Sequence, residues 1–134
     1  MEVIICLDDD NGLMFNHRRQ SRDRVVTEDI QKECGERPLY MNPYSASLFE
    51  HMPEKVISEN FLEEAGEGSI CFVEDQMLLP YEEKIEKIIV YRWNREYPKD
   101  LTLDLPMGAP WKLISTTEFP GFSHEKITKE AYTK

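Results

Sequence analysis

Glu74 and Asp75 stand side by side at the carboxyl end of a short apolar run, Ile70-Cys71-Phe72-Val73. In an open α/β sheet, ligands sit in the crevice beyond the carboxyl ends of the strands. A third acid, Asp23, lies in Ser21-Arg22-Asp23-Arg24, just ahead of an amphipathic stretch. An aspartate there caps a helix and complements its dipole. Arg18, Arg19, Arg22 and Arg24 concentrate positive charge in an acidic chain. Such guanidinium groups either hold a phosphate or carboxylate or form a solvated loop paired with Asp8, Asp9 and Asp10. Arg92 ends another apolar run. It is placed to pair with Asp23, Glu74 or Asp75, or else to be a solvated strand end.

Other chemistries find little support. His17, His51 and His124 are far apart and match no metal-ligand spacing, so no metal site is expected. The chain has no G-x-S-x-G elbow and no P-loop. Ser21-Arg22-Asp23 and the thiols lack an evident base for nucleophilic catalysis.

These residues need elements to position them. Ser69 to Trp93 reads as strand, helix, strand: Ile70–Val73 and Ile88–Val90 are unbroken apolar runs, and Leu78 to Ile85 has a helical pattern. Unbroken apolar strands are buried on both faces, as in parallel sheets covered by helices. Glu2–Leu7 reads as a further buried strand, followed by an Asn11-Gly12 turn and an apolar loop, Leu13–Phe15. Val26, Ile30 and Cys34 recur every four residues and predict a helix that starts near Ser21 or Asp23 and stops at Gly35. Pro38–Asn42 is a short strand, and Asn42-Pro43 opens a helix with Asn as cap. Lys55–Ser58 is a strand and Glu59–Ala65 a short helix. Leu101, Leu103 and Leu105 alternate in an extended piece, and Trp111–Phe119 and Ile127–Thr133 read as closing antiparallel strands.

Composition sets limits. The 134 residues suit one domain, 1–134. A net charge of −10 argues against a broad nucleic-acid surface or an anionic membrane partner. No apolar run approaches the ~20 residues of a membrane helix, and the N-terminus has no signal-peptide pattern. Cys6, Cys34 and Cys71, odd in number and well separated, suggest reduced thiols and a cytoplasmic protein.

The order of parts resembles dihydrofolate reductase over nearly the whole chain. Pro38-Leu39-Tyr40-Met41-Asn42 with Pro43–Phe49 is similar to the family's V-I-M-G-R-K-T-x-E-S-I. Ser69–Trp93 is similar to its strand, Gly-Gly, helix and strand, and Tyr97–Leu105, Trp111, Ser115 and Lys129–Tyr132 to its C-terminal third. The resemblance implies a mostly parallel α/β sheet with antiparallel C-terminal strands. It also implies NADPH as cofactor, a pterin-like substrate, and a substrate carboxylate at the start of the first helix, where Asp23 falls. The family's cofactor residues are largely replaced. Glu74-Asp75 stands at the Gly-Gly position and would repel a diphosphate. Of the phosphate-binding helix start only the Ser45 hydroxyl survives, beside the cap Asn42. Glu59 stands near the ribose-phosphate position, and Arg92 near the threonine that supports the carboxylate.

The reading that follows is a divergent, non-catalytic member, a pseudoenzyme without cofactor, binding a small anionic or heterocyclic ligand or a regulatory partner. Asp23 would be its catalytic relic, with Arg92, Glu74, Asp75, Ser45, Asn42, Arg18 and Arg22 lining the ligand site. Two alternatives stay open: an NAD(P)H-dependent reductase of a pterin-like substrate, and a structural or partner-binding protein whose cleft is closed by Arg92 salt bridges.

Overall fold

The computed structural model describes residues 1–134. In chain order the elements are β1 (Glu2–Leu7), β2 (Gly12–Phe15), β3 (Arg18–Arg19), α1 (Arg24–Cys34), β4 (Leu39–Met41), β5 (Lys55–Ile57), α2 (Phe61–Glu64), β6 (Ile70–Phe72), β7 (Lys87–Arg92), β8 (Leu101–Thr102), β9 (Lys112–Phe119) and β10 (Ile127–Thr133). Seven strands form one sheet in the order β5-β4-β6-β1-β7-β10-β9. β1 pairs in parallel with both β6 and β7, and β4 in parallel with β5 and β6. β10 runs antiparallel to β7 and β9. The expected mostly parallel sheet with antiparallel C-terminal strands is therefore present.

The apolar runs explain this arrangement. Val3, Ile5 and Leu7 of β1 face one core, with Cys71, Val73, Ile88 and Val90 from its neighbours and Phe61 and Leu62 of α2. Ile4, Ile70, Phe72, Ile89 and Tyr91 face the other core. There α1 lays down Val26, Ile30 and Cys34. Side chains alternate across a strand, so a strand buried on both faces needs apolar residues at every position. Gly35 ends α1 with φ 58, a left-handed value that suits a residue without Cβ. Burial raises the pKa of the Cys34 thiol to about 11 and of the Cys71 thiol to about 12, as befits inert core residues.

Three expectations are corrected. Leu13–Phe15 is not a loop: it belongs to β2, which pairs with β3 and β8 in a small antiparallel sheet. The segment expected to form a helix between β6 and β7 is a 3-10 helix, Leu79–Lys84, with no buried residue of its own. Leu78 and Ile85 on either side are buried and anchor it, and Asp104 accepts from the Leu78 and Leu79 amides at 2.8 and 2.9 Å. The segment after Asn42-Pro43 is also 3-10, Ser45–Phe49, although Asn42 does cap it, its Oδ1 accepting from Ser45 N at 3.0 Å.

β1 lies between β6 and β7, so the chain crosses from one side of β1 to the other. Strand order reverses there, which opens a crevice at the carboxyl ends of these strands. β9 forms the far edge of the sheet, and its residues are exposed apart from Phe119.

Candidate functional site

Asp23 sits at the crevice as the N-cap of α1, in extended backbone. Its carboxylate is fully buried and surrounded by donors. Oδ1 accepts from Val25 N and Phe122 N, each at 2.9 Å. Oδ2 accepts from Ser123 N at 2.9 Å, Ser123 Oγ at 3.3 Å and His124 Nδ1 at 2.8 Å. Burial alone would raise its pKa, but the amides of Phe122, Ser123 and Val25 and the His124 ring hold it far below the usual carboxylate range. The loop 121–124 presses directly on this group: a Cβ at Gly121 would stand 2.6 Å from Asp23 Oδ2. Asp23 thus serves as cap and as anchor of the C-terminal loop.

His124 stacks on Trp93, with ring centroids 4.7 Å apart. An ionised carboxylate only accepts, so Nδ1 carries the proton it shares with Asp23, and in the neutral ring Nε2 is the acceptor. Ser21 Oγ lies 3.0 Å and Tyr97 Oη 3.1 Å from that nitrogen. The base that Ser21-Arg22-Asp23 lacks in sequence is therefore supplied across 101 residues. Nothing in the spacing of His124 announces this; the only local hint is the Pro120-Gly121 turn that aims the loop inward.

Glu74, just beyond β6, is also occupied by protein. Arg19 grips it with two bonds, Nε to Oε2 at 2.8 Å and Nη2 to Oε1 at 3.0 Å. Ser45 Oγ donates to Oε1 at 2.7 Å. The guanidinium lies 4.4 Å from the Tyr44 ring centroid. Desolvation works against the Arg19 cation, but Glu74 outweighs it and raises its pKa. Asp75 accepts from Asn42 Nδ2 at 2.8 Å and from Gln76 at 3.3 Å. Beneath them, burial pushes the Cys6 thiol far up, helped by the nearby Glu74 charge.

Arg92 is not in this cluster, contrary to the expected pairing with Asp23, Glu74 or Asp75. Its Nε binds Glu130 at 2.7 Å and its Nη1 binds Asn11 Oδ1 at 2.7 Å. The reason is topological. β10 pairs beside β7 and sets Glu130 opposite Val90, on the face to which Arg92 also points. Arg92→Ala therefore reports on the sheet and not on the crevice. The pair is half-buried, so the expected loss in urea denaturation is about 1 kcal/mol.

The arginines do not pair with Asp8, Asp9 or Asp10 either. Asp8 accepts from the Gly12, Asp10 and Tyr97 amides and Gln20, and pairs with Lys99 at 3.0 Å. Burial opposes ionisation of Asp8, but those amides and Lys99 keep its pKa low. Arg24 pairs with Glu28 and lies 4.4 Å from the Phe122 ring centroid. Arg18 and Arg22 are exposed.

The space left is unevenly distributed. Between Cys6, Leu13, Ser21, Asp23, Glu74 and Trp93 the crevice holds about 20 Å³, room for one water and not for a bicyclic ring. Outside it, an open groove of about 470 Å³ runs past Arg22, Arg24, Ser47, His51, Phe122 and Ser123. A recess of about 520 Å³ lies between Met14, His17, Tyr44, Asp75 and Asp100. No group of three His, Cys, Asp or Glu residues is arranged to hold a metal ion.

Among known proteins, no family model matches the chain, and no curated protein sequence does. Among solved structures it is similar to dihydrofolate reductase from Enterococcus faecalis, in a complex with NADP(H) and RAB-propyl. That likeness has a TM-score of 0.70 and covers 98% of this chain and 94% of that one, at 6% identity. The resemblance in order of parts thus extends to the three-dimensional fold. No helix is long and apolar enough to cross a membrane.

Proposed function

We propose that this chain, with the dihydrofolate reductase fold, performs no pterin reduction and instead binds a small anionic ligand at the mouth of its crevice. The observation that carries this reading is the saturation of Asp23. A pterin amidine would need a free carboxylate there, and both oxygens already accept from the loop 121–124 and from α1. The residues present do not fit NADPH. Carboxylates occupy the place where backbone would approach a diphosphate, and the surviving hydroxyl, Ser45 Oγ, donates to Glu74. No hydride step is derived for this chain.

The outer groove supports the anion. Arg22, Arg24 and His51 line it, together with the hydroxyls of Thr27, Ser47 and Ser123. Glu50 is its single acid besides the sequestered Asp23. In a chain of net charge −10 such a patch is selective for anions only at short range. Inorganic phosphate is the simplest probe. Chemical shifts of the groove residues are expected to move saturably with phosphate, and the shifts to vanish in an Arg22→Ala/Arg24→Ala double variant. Unmoved shifts would remove the anion reading.

The cofactor prediction is separate. Calorimetric titration with NADPH or NADH at micromolar protein is expected to release no saturable heat, because Glu74, Asp75 and Glu59 place negative charge where phosphates would lie. Saturable micromolar binding of either would restore the reductase reading.

A partner-binding reading has its own support. β9 is an edge strand whose Leu113 and Ile114 are more than half exposed. Unpaired strand edges invite another strand. Light scattering across a concentration series tests it, a rise above the monomer mass being the positive result. The three free thiols suit the reducing compartment assigned from sequence.

A further inference from the structure

We propose that Ser21, His124 and Asp23 form an acyl-transfer triad, with Ser21 as nucleophile, His124 as general base and Asp23 as the group that positions the imidazole. Such a triad is recognised by geometry and roles and not by chain order. The roles are filled in sequence along one line of contacts. Asp23 Oδ2 holds Nδ1 at 2.8 Å, and Nε2 stands 3.0 Å from Ser21 Oγ. Both separations lie in the range a proton transfer needs.

Three further features bear on the site. The imidazole cannot rotate away, since Trp93 covers its face and the Gly121–His124 backbone bond holds the loop. The carboxylate stays ionised, buried among amide donors, and so stabilises an imidazolium as it forms. Ser21 itself is partly exposed and lines the crevice.

The chemistry closes with water as the only co-reactant. Ser21 Oγ forms a bond to the carbonyl carbon of an ester while its proton passes to His124 Nε2. The tetrahedral oxyanion collapses, the ester C–O bond breaks, and the departing alkoxide or phenoxide takes the proton from Nε2. Water, deprotonated by the same nitrogen, attacks the acyl-serine and releases the carboxylic acid. The hydroxyl of Ser21 regains its proton. The crevice beside Ser21 has room for one water, so the acyl and leaving groups lie in the open groove that begins at Arg22 and Asp23. Tyr97 Oη shares Nε2, so the reactive arrangement is the one in which Ser21, and not Tyr97, donates to it.

This inference does not depend on anion binding in the groove. Its probes are a fluorophosphonate and p-nitrophenyl acetate, used with the full chain. One phosphonyl group is expected on the peptide containing Ser21. Hydrolysis of the acetate is expected to run faster than in buffer alone. It should fall by about 10²–10⁴-fold in Ser21→Ala and in His124→Gln. Ser21→Ala removes only a partly exposed hydroxyl, so its circular dichroism and unfolding midpoint should match the wild type even if His124→Gln fails to fold. An unlabelled wild type, a label on another residue, or hydrolysis no faster than that of Ser21→Ala would overturn the proposal.

Discussion

Asp23→Ala is expected to lower the unfolding free energy by about 3 kcal/mol, the low end of the range for breaking a buried charged pair. The substitution takes the acceptor from Val25 N, Phe122 N, Ser123 N and His124 Nδ1 at once. The figure stays at the low end because the loop is superficial: Phe122 is 68% exposed, so its amide can turn to water. The consequence reaches beyond α1. Released from Asp23, the loop no longer holds His124 against Trp93, and the 20 Å³ crevice widens toward the groove.

The same carboxylate sets a pH dependence whose sign is fixed. The Asp23 pKa is depressed in the fold relative to the ordinary value near ~3.9 of an unfolded chain. The unfolded state therefore binds the proton first. The stabilisation is fully present above that unfolded value and is lost as pH falls toward the folded one. Urea midpoints at pH 7 and pH 3 measure this. Wild type should lose stability between them, and Asp23→Ala should lose less. A residual slope is expected from Asp8, whose pKa is depressed in the same direction. Parallel losses in the two proteins would mean that Asp23 is not the buried anchor described.

Much of the fold is legible in the sequence because its signals are local. Ile70–Val73 and Ile88–Val90 can only be buried on both faces, which demands a covered parallel sheet. Asp23 and Gly35 bracket Val26, Ile30 and Cys34 and mark α1 at both ends. The short pieces are less legible. β2, β3 and β8 are four residues or fewer, and β2 finds its partner Thr102 opposite Gly12 only once the chain is folded. The Leu79–Lys84 segment has helix-like spacing only because Leu78 and Ile85 anchor its two ends; its own residues bury nothing.

The site is less legible still, because its partners come from remote loops. Asp23 as cap follows from its position, but its other four contacts come from Phe122, Ser123 and His124. Glu74 and Asp75 are visible as acids at a strand end. Which cation meets them is decided by β3, two residues long, which delivers Arg19 to Glu74. Arg92 points to Glu130 instead because β10 inserts beside β7.

Arg19→Met is therefore expected to cost about 3 kcal/mol, as removal of one partner from a buried pair does. Glu74 is left 8% exposed, with the Ser45 hydroxyl as its remaining donor. Methionine also gives up the guanidinium contacts with the Tyr44 ring and carbonyl, so the coupling to Glu74, and not the single-variant loss, isolates the pair. Glu74→Gln on that background should recover most of it, since a neutral amide needs no counter-charge in the crevice. Urea denaturation of the wild type, both single variants and the double variant completes the cycle, with a coupling energy well above the ~0.5 kcal/mol error of additivity. Coupling near zero would mean that water already screens the pair and that the crevice is open to a ligand. Strong coupling means that the Arg19–Glu74 pair fills this part of the crevice with protein charge, so that small molecules find room only outside it, as in the open groove beyond Arg22 and Arg24.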